Sequence, residues 1–301
     1  MSRARATLAG LAVLLAAACS SPAGSASHLV TAVGAENFYA NVISQVGGPY
    51  VSVSSILSNP NTDPHSYESS TTDANAVSNA RLIVQNGIGY DAFMQKLEDA
   101  SPNSQRAVID VGHELGYNIG DNPHLWYNPA TMPRVATMVA EDLSHIDPAH
   151  AKQYRTNAAR FVESLRSWTG SIAAFKRAYK GVPVAVTEPV FDYTAQAMGA
   201  TILTPQAFQL AIEEGNDPAP QDVATVRSLL ERRAVRVFVY NQQTVEPTTA
   251  QLLEVARRSR VPVVGVYETM PTHMDYQQWM NAEVSAVARA VRTGQSTEIL
   301  R

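Results

Sequence analysis

Four side chains of this sequence stand just beyond apolar, strand-like runs, and their types suit one chemistry. His65 lies in Asn61-Thr62-Asp63-Pro64-His65-Ser66-Tyr67-Glu68, after the run Val51–Leu57. His124 lies in Asp121-Asn122-Pro123-His124-Leu125-Trp126, after the run 107–111. Glu188 directly follows Val184-Ala185-Val186-Thr187, and Glu268 directly follows the run 263–267. Two imidazoles and two carboxylates match a divalent transition-metal site: imidazole supplies borderline-soft nitrogen, and two carboxylates neutralise a dication. Pro64 and Pro123 stiffen the backbone before each histidine, which favours fixed placement. The plainer alternative is that strand ends are polar anyway and each group serves its own surface.

The other histidines are secondary. His273 shares a loop with Glu268 and competes with it for the fourth position. His113 precedes His124 and would be an accessory ligand at most. His145 and His150 flank the Asp147-Pro148 break and read as solvated, and His28 lies near the N-terminal tether.

The elements that must position these groups follow from periodicity. Strand-like runs at 29–33, 51–57, 81–85 and 107–111 alternate with helical stretches at 37–46, 73–79 and 90–99, which predicts a parallel sheet covered on both faces. Strand signal then vanishes from Thr131 to Tyr179. One helix is expected from Pro133 to about His145, and a second, long one over 149–179, capped by Asp147-Pro148 and ended by Gly181. Alternation resumes with strands at 182–187, 201–204, 235–240 and 261–267, and helices at 191–198, 221–233, 247–258 and 276–293. The fold class is therefore α/β: two small lobes, each a mainly parallel sheet flanked by helices, joined by one long rigid helix. Ligands of such sheets bind beyond the carboxyl ends of the strands. All four candidates then face the gap between lobes, with nitrogen from the first lobe and oxygen from the second.

The N-terminus reads as an address. Arg3 and Arg5 precede an apolar run of eleven residues, 8–18, too short to span a bilayer. Leu15-Ala16-Ala17-Ala18-Cys19 resembles a bacterial lipoprotein box, with Cys19 as the lipid-carrying first residue. The expected organisation is a signal peptide at 1–18, a tether at 19–27, a first lobe at 28–146, a connecting helix at 147–180 and a second lobe at 181–301. The protein would work outside the cytoplasm, anchored to the cell membrane.

Composition removes several classes. A net charge of −4 leaves no basic surface for nucleic acid. A single Cys excludes a disulfide framework within the chain. No Gly-x-Ser-x-Gly elbow, P-loop or His-Glu-x-x-His helix is present.

At these motifs the chain resembles the metal-binding lipoproteins of bacterial zinc and manganese ABC importers, the cluster A-I or zinc-uptake-type substrate-binding proteins. The resemblance covers about residues 30–293. Asp63-Pro64-His65-Ser66-Tyr67-Glu68 is similar to the family's first ligand loop and Asn122-Pro123-His124-Leu125-Trp126 to its second. Asn86-Gly87-Ile88-Gly89-Tyr90 resembles its glycine turn before a helix. Thr187-Glu188-Pro189 lies where the family carries a third ligand, His or Glu, and Tyr267-Glu268-Thr269 where it carries a fourth, more often Asp. The resemblance implies a metal set of His65, His124, Glu188 and Glu268, with Zn²⁺, Mn²⁺ or Fe²⁺ as cargo. It also implies delivery of the ion to an ABC-type permease without chemistry on it, and the chain is expected to act as a monomer. Two other readings compete: a secreted metal-dependent hydrolase with Glu188 or Glu268 as base, and a surface adhesion module.

Overall fold

The computed structural model describes residues 29–59 and 67–300. The signal segment, Cys19, the tether, His28 and His65 lie outside the described residues.

The first sheet comprises β1 (Val30–Glu36), β2 (Val51–Leu57), β3 (Leu82–Gln85) and β4 (Ala107–Asp110), all parallel, in the order β2-β1-β3-β4. Helices α1 (Asn37–Gly47), α2 (Thr71–Asn79), α3 (Ala92–Asp99) and α4 (Val111–Leu115) connect or follow its strands. The second sheet comprises β5 (Pro183–Val186), β6 (Thr201–Ile202), β7 (Phe238–Asn241) and β8 (Val263–Val266), in the matching order β6-β5-β7-β8 and again all parallel. Every residue of β3, β7 and β8 is buried, the pattern of strands covered on both faces. At Gly34 the first strand runs so close to α1 that a Cβ would meet the Ala40 nitrogen at 2.3 Å.

The middle of the chain is helical, as its lack of strand signal predicts: α5 (Thr131–Ile146), α6 (Ala151–Ser164) and α7 (Arg166–Tyr179). The long run over 149–179 is bent rather than straight. Leu165 (φ −72°, ψ −8°) closes a tight turn with its N–H on Val162 O, and Thr169 N–H returns to Leu165 O. The bend has a packing reason. Before it, α6 lies on α1 and α5 of the first lobe. After it, α7 packs on α8 (Asp192–Ala197) and α12 (Tyr276–Thr293) of the second.

The second lobe is completed by α9 (Gln206–Glu213), α10 (Pro220–Glu231) and α11 (Pro247–Arg258). Helices α4 and α9 stand where periodicity alone predicts no helix. The closing helix α12 starts in a capping box of Asp275 and Gln278 and ends at left-handed Gly294. One hydrophobic core runs through both lobes. Phe38 stacks on Trp126 with centroids 4.4 Å apart, and Tyr127 meets Trp279 of α12 edge-on at 5.8 Å. Among the described residues no helix is long and apolar enough to cross a membrane.

Candidate metal centre

His124 is fully buried in the loop after α4. Its orientation is set by Asn122, whose Oδ1 accepts the His124 backbone N–H at 3.0 Å and lies 2.8 Å from the ring Nδ1. A backbone N–H only donates, so that oxygen is an acceptor and the neutral ring carries its proton on Nδ1. The Nε2 lone pair is left facing the cleft. The Asn122 amide also donates to Pro189 O at 2.8 Å, tying this loop to the residue after Glu188.

The carboxylates come from the second lobe. Glu188 stands on extended backbone (φ −139°, ψ 165°) and is 3% exposed, and Glu268 is fully buried. Asn241, the last residue of β7, donates through one amide to both: 2.8 Å to Glu188 Oε2 and 2.5 Å to Glu268 Oε1. Gln243 Oε1 accepts the backbone N–H groups of Glu268 and Thr269 at 2.6 and 2.8 Å. Glu268 Oε2 then lies 3.4 Å from His124 Nε2, across the gap between lobes. A fourth group, Glu213 at the end of α9, brings Oε1 to 3.5 Å from the same nitrogen.

The first lobe supports this arrangement from behind. Tyr90 donates to Glu268 Oε2 at 3.1 Å. Burial first, and then the charge of Glu268, push the Tyr90 phenol well above its ordinary range, so it remains a donor. Tyr90 is aimed by the turn at 86–90. There Asp91 accepts the N–H groups of Asn86 and Gly87 at 2.6 and 2.9 Å, although burial raises its carboxyl to about 7. Gly87 (φ 75°) is required, because a Cβ would meet Asp110 Oδ1 at 2.0 Å. Asn86 donates to Pro123 O at 2.9 Å, locking the turn to the histidine loop.

A second tie crosses the lobes. Glu283 of α12 is fully buried, and burial raises its carboxyl to about 8. Its Oε1 accepts Trp279 Nε1 at 2.7 Å and Tyr267 N–H at 3.2 Å. The Tyr127 hydroxyl lies 2.7 Å from both Glu283 Oε2 and Tyr267 O. Tyr127 has one proton for two acceptors, so a protonated Glu283 completes the network. Tyr127 and Tyr267 lie within three residues of His124 and Glu268, so the network braces both loops.

The structure thus brings His124, Glu188 and Glu268 to one place, while His65 lies outside the described residues. The remaining histidines are elsewhere. His113 is exposed. His273 is exposed on left-handed backbone (φ 71°), in a surface groove with Pro271 and Met274. His145 is exposed, as expected. His150 is not simply solvated: its ring stacks on Tyr50 at 3.7 Å and Nδ1 lies 2.6 Å from Asp147 Oδ2. Three residues of the site, Glu213, Asn241 and Tyr90, are not among those the sequence pattern singles out. Asn241 ends an apolar run as the two glutamates follow theirs, so the same rule extends to it. Glu213 stays out of reach unless α9 is read as a helix, for which Phe208 and Ile212 carry the four-residue spacing. Among the described residues no three His, Cys, Asp or Glu side chains form a ready-made metal cage.

The model of the zinc-uptake complex component A family (periplasmic) matches residues 33–290. The chain belongs to this family. Family relatives include the metal ABC transporter substrate-binding lipoprotein FimA of Streptococcus parasanguinis, 26% identical over 266 residues and 82% of each chain. The manganese ABC transporter substrate-binding lipoprotein PsaA of Streptococcus pneumoniae is 25% identical over 269 residues, 83% of each. The fold is that of a solved ZnuA structure (TM-score 0.71, 20% identity, covering 88% of this chain and all of that one). It is also that of a Mn-bound periplasmic metal binding protein from Candidatus Liberibacter asiaticus (TM-score 0.68, 17% identity, 86% and 98% covered).

Proposed function

We propose that this protein captures a divalent transition metal ion outside the cytoplasm and hands it to an ABC-type permease. The ligands are His124, Glu188 and Glu268, joined by His65. The observation that carries the reading is the pairing of a tautomer-fixed His124 Nε2 with Glu268 Oε2 at 3.4 Å across the lobes. Both side chains are fully buried, which suits a carrier that closes around its cargo better than an enzyme that must hold a position open for substrate. Membership of the family and the names of its metal-transport relatives support the same reading. Zn²⁺, Mn²⁺ and Fe²⁺ are the candidate ions, since Ca²⁺ and Mg²⁺ prefer all-oxygen shells. The chain works as a monomer without catalysis, held at the membrane by a lipid on Cys19.

Metal binding to the folded state stabilises it by mass action. Elemental analysis of gently purified protein should give one ion per chain. The melting temperature should rise with Mn²⁺ or Zn²⁺, and His65→Ala combined with His124→Ala should abolish the rise. A rise that survives the double variant would refute this ligand set.

A further inference from the structure

We infer that Glu213 enters the coordination sphere as a third carboxylate and that it biases the site toward a large, hard ion of the manganese class. The inference rests on the metal-capture reading above and adds a ligand to it.

Spacing comes first. His124 Nε2 lies 3.5 Å from Glu213 Oε1 and 3.4 Å from Glu268 Oε2. An N–H···O hydrogen bond is usually shorter, about 2.7–3.2 Å. Two donor atoms each about 2.1 Å from one ion stand about 3.0–3.4 Å apart at octahedral to tetrahedral angles. Each carboxylate is therefore spaced from His124 Nε2 as a co-ligand would be, and Glu213 stands to that nitrogen as Glu268 does.

The surroundings of Glu213 also suit a nearby cation. It is the last residue of α9, where the helix dipole disfavours negative charge. Its side chain is only 8% exposed. It shares one nitrogen with a second carboxylate, Glu268. Burial, the negative end of a helix and a neighbouring carboxylate each disfavour a charged glutamate here. A bound dication offsets all three. Helix α9 packs against 189–191, the turn that follows Glu188, so Glu213 and Glu188 are mounted on touching elements.

The chemistry that follows concerns selectivity. Two imidazoles and two carboxylates can close a tetrahedron, which suits Zn²⁺. A third carboxylate raises the oxygen count and makes five or six ligands available, which suits the larger, harder Mn²⁺ or Fe²⁺. It does not overturn the intrinsic preference for Zn²⁺, but it narrows the gap.

The test compares Mn²⁺ and Zn²⁺ affinities, measured by competition, for wild type and Glu213→Gln. The variant should lose at least tenfold in Mn²⁺ affinity and no more than threefold in Zn²⁺ affinity, with the metal-free protein no less stable than wild type. Equal losses for both ions would indicate a merely structural role and overturn the inference, as would unchanged affinity for both. A crystal structure of Mn²⁺-loaded wild type gives an answer that does not depend on the variant folding. It should place a Glu213 oxygen within about 2.3 Å of the ion, and a separation beyond about 3 Å refutes the assignment. If wild type binds neither ion, the metal-capture reading itself fails. If wild type binds and only Glu213 proves distant, that reading stands and this one falls.

Discussion

The two lobes share a strand order and place the same residue types at equivalent strand ends, yet they use them differently. Of the two inner strands of the first lobe, β1 ends in Glu36 and β3 is followed by Asn86. In the second lobe, β5 leads to Glu188 and β7 ends in Asn241. There the amide donates to the glutamate and to Glu268, which meets His124 of the first lobe. In the first, Asn86 turns to Tyr39 and Pro123 instead. Glu36 is fully buried with no side-chain hydrogen-bond partner among the described residues, and burial followed by the charge of Asp91 pushes its carboxyl well up. The same topological corner thus holds a candidate ligand in one lobe and a neutral internal acid in the other. The comparison teaches that position beyond a parallel strand offers a site, and that the neighbouring hydrogen bonds decide whether the site is taken.

The comparison can be broken by substitution. The largest effect is expected from Glu188→Ala, which should weaken Mn²⁺ and Zn²⁺ binding by more than about a hundredfold in competition titrations if Glu188 is the ligand proposed, since a ligand matters more than its supports. An unaltered affinity would place the corner's function elsewhere. Asn241→Ala and Asn122→Ala remove supports rather than ligands and should each cost about 10–100-fold in affinity.

Glu283→Gln tests the brace between lobes through stability. The folded carboxyl titrates at about 8 against an ordinary 4.5, so its neutral form is what the fold favours. Stability from that preference is complete below pH 4.5 and is lost as pH rises to about 8. Gln stays neutral, so metal-free Glu283→Gln should gain on wild type by at most about 1.4 kcal/mol per pH unit across that window. Denaturant melts at pH 5, 6.5 and 8 read this directly, and a constant difference would mean that Glu283 ionises normally. The smallest effect on metal is expected from Glu36→Gln. It should leave both metal affinities unchanged while stabilising the metal-free protein more as pH rises, and a loss of metal affinity would erase the contrast between the lobes.

Much of this is legible in the sequence because it is local. The strand Val51–Leu57 and the helices Pro247–Arg258 and Tyr276–Thr293 have the bounds their periodicity predicts. Glu188 and Glu268 follow from one rule, a polar group after a buried strand, and His124 from the loop farther beyond β4. The bend at Leu165 is not legible, because nothing in the local sequence breaks the helix there. It arises from α6 and α7 having to lie on different lobes. Helix α9 is not legible either. Its eight residues bury few side chains, and Pro205, Gly215 and Pro218 around it read as loop.

The sequence by itself determined which segments are strands and helices and which residue types stand at their ends, since burial on both faces of a parallel sheet leaves an apolar run that stops where solvent or ligand begins. Tertiary structure alone decided which of those ends meet. The approach of Glu213 to His124, the shared amide of Asn241 and the brace through Glu283 each join residues far apart in the chain. Whether a carboxyl at such a place is a ligand or a buried neutral acid depends on the charges and donors that neighbouring elements bring to it.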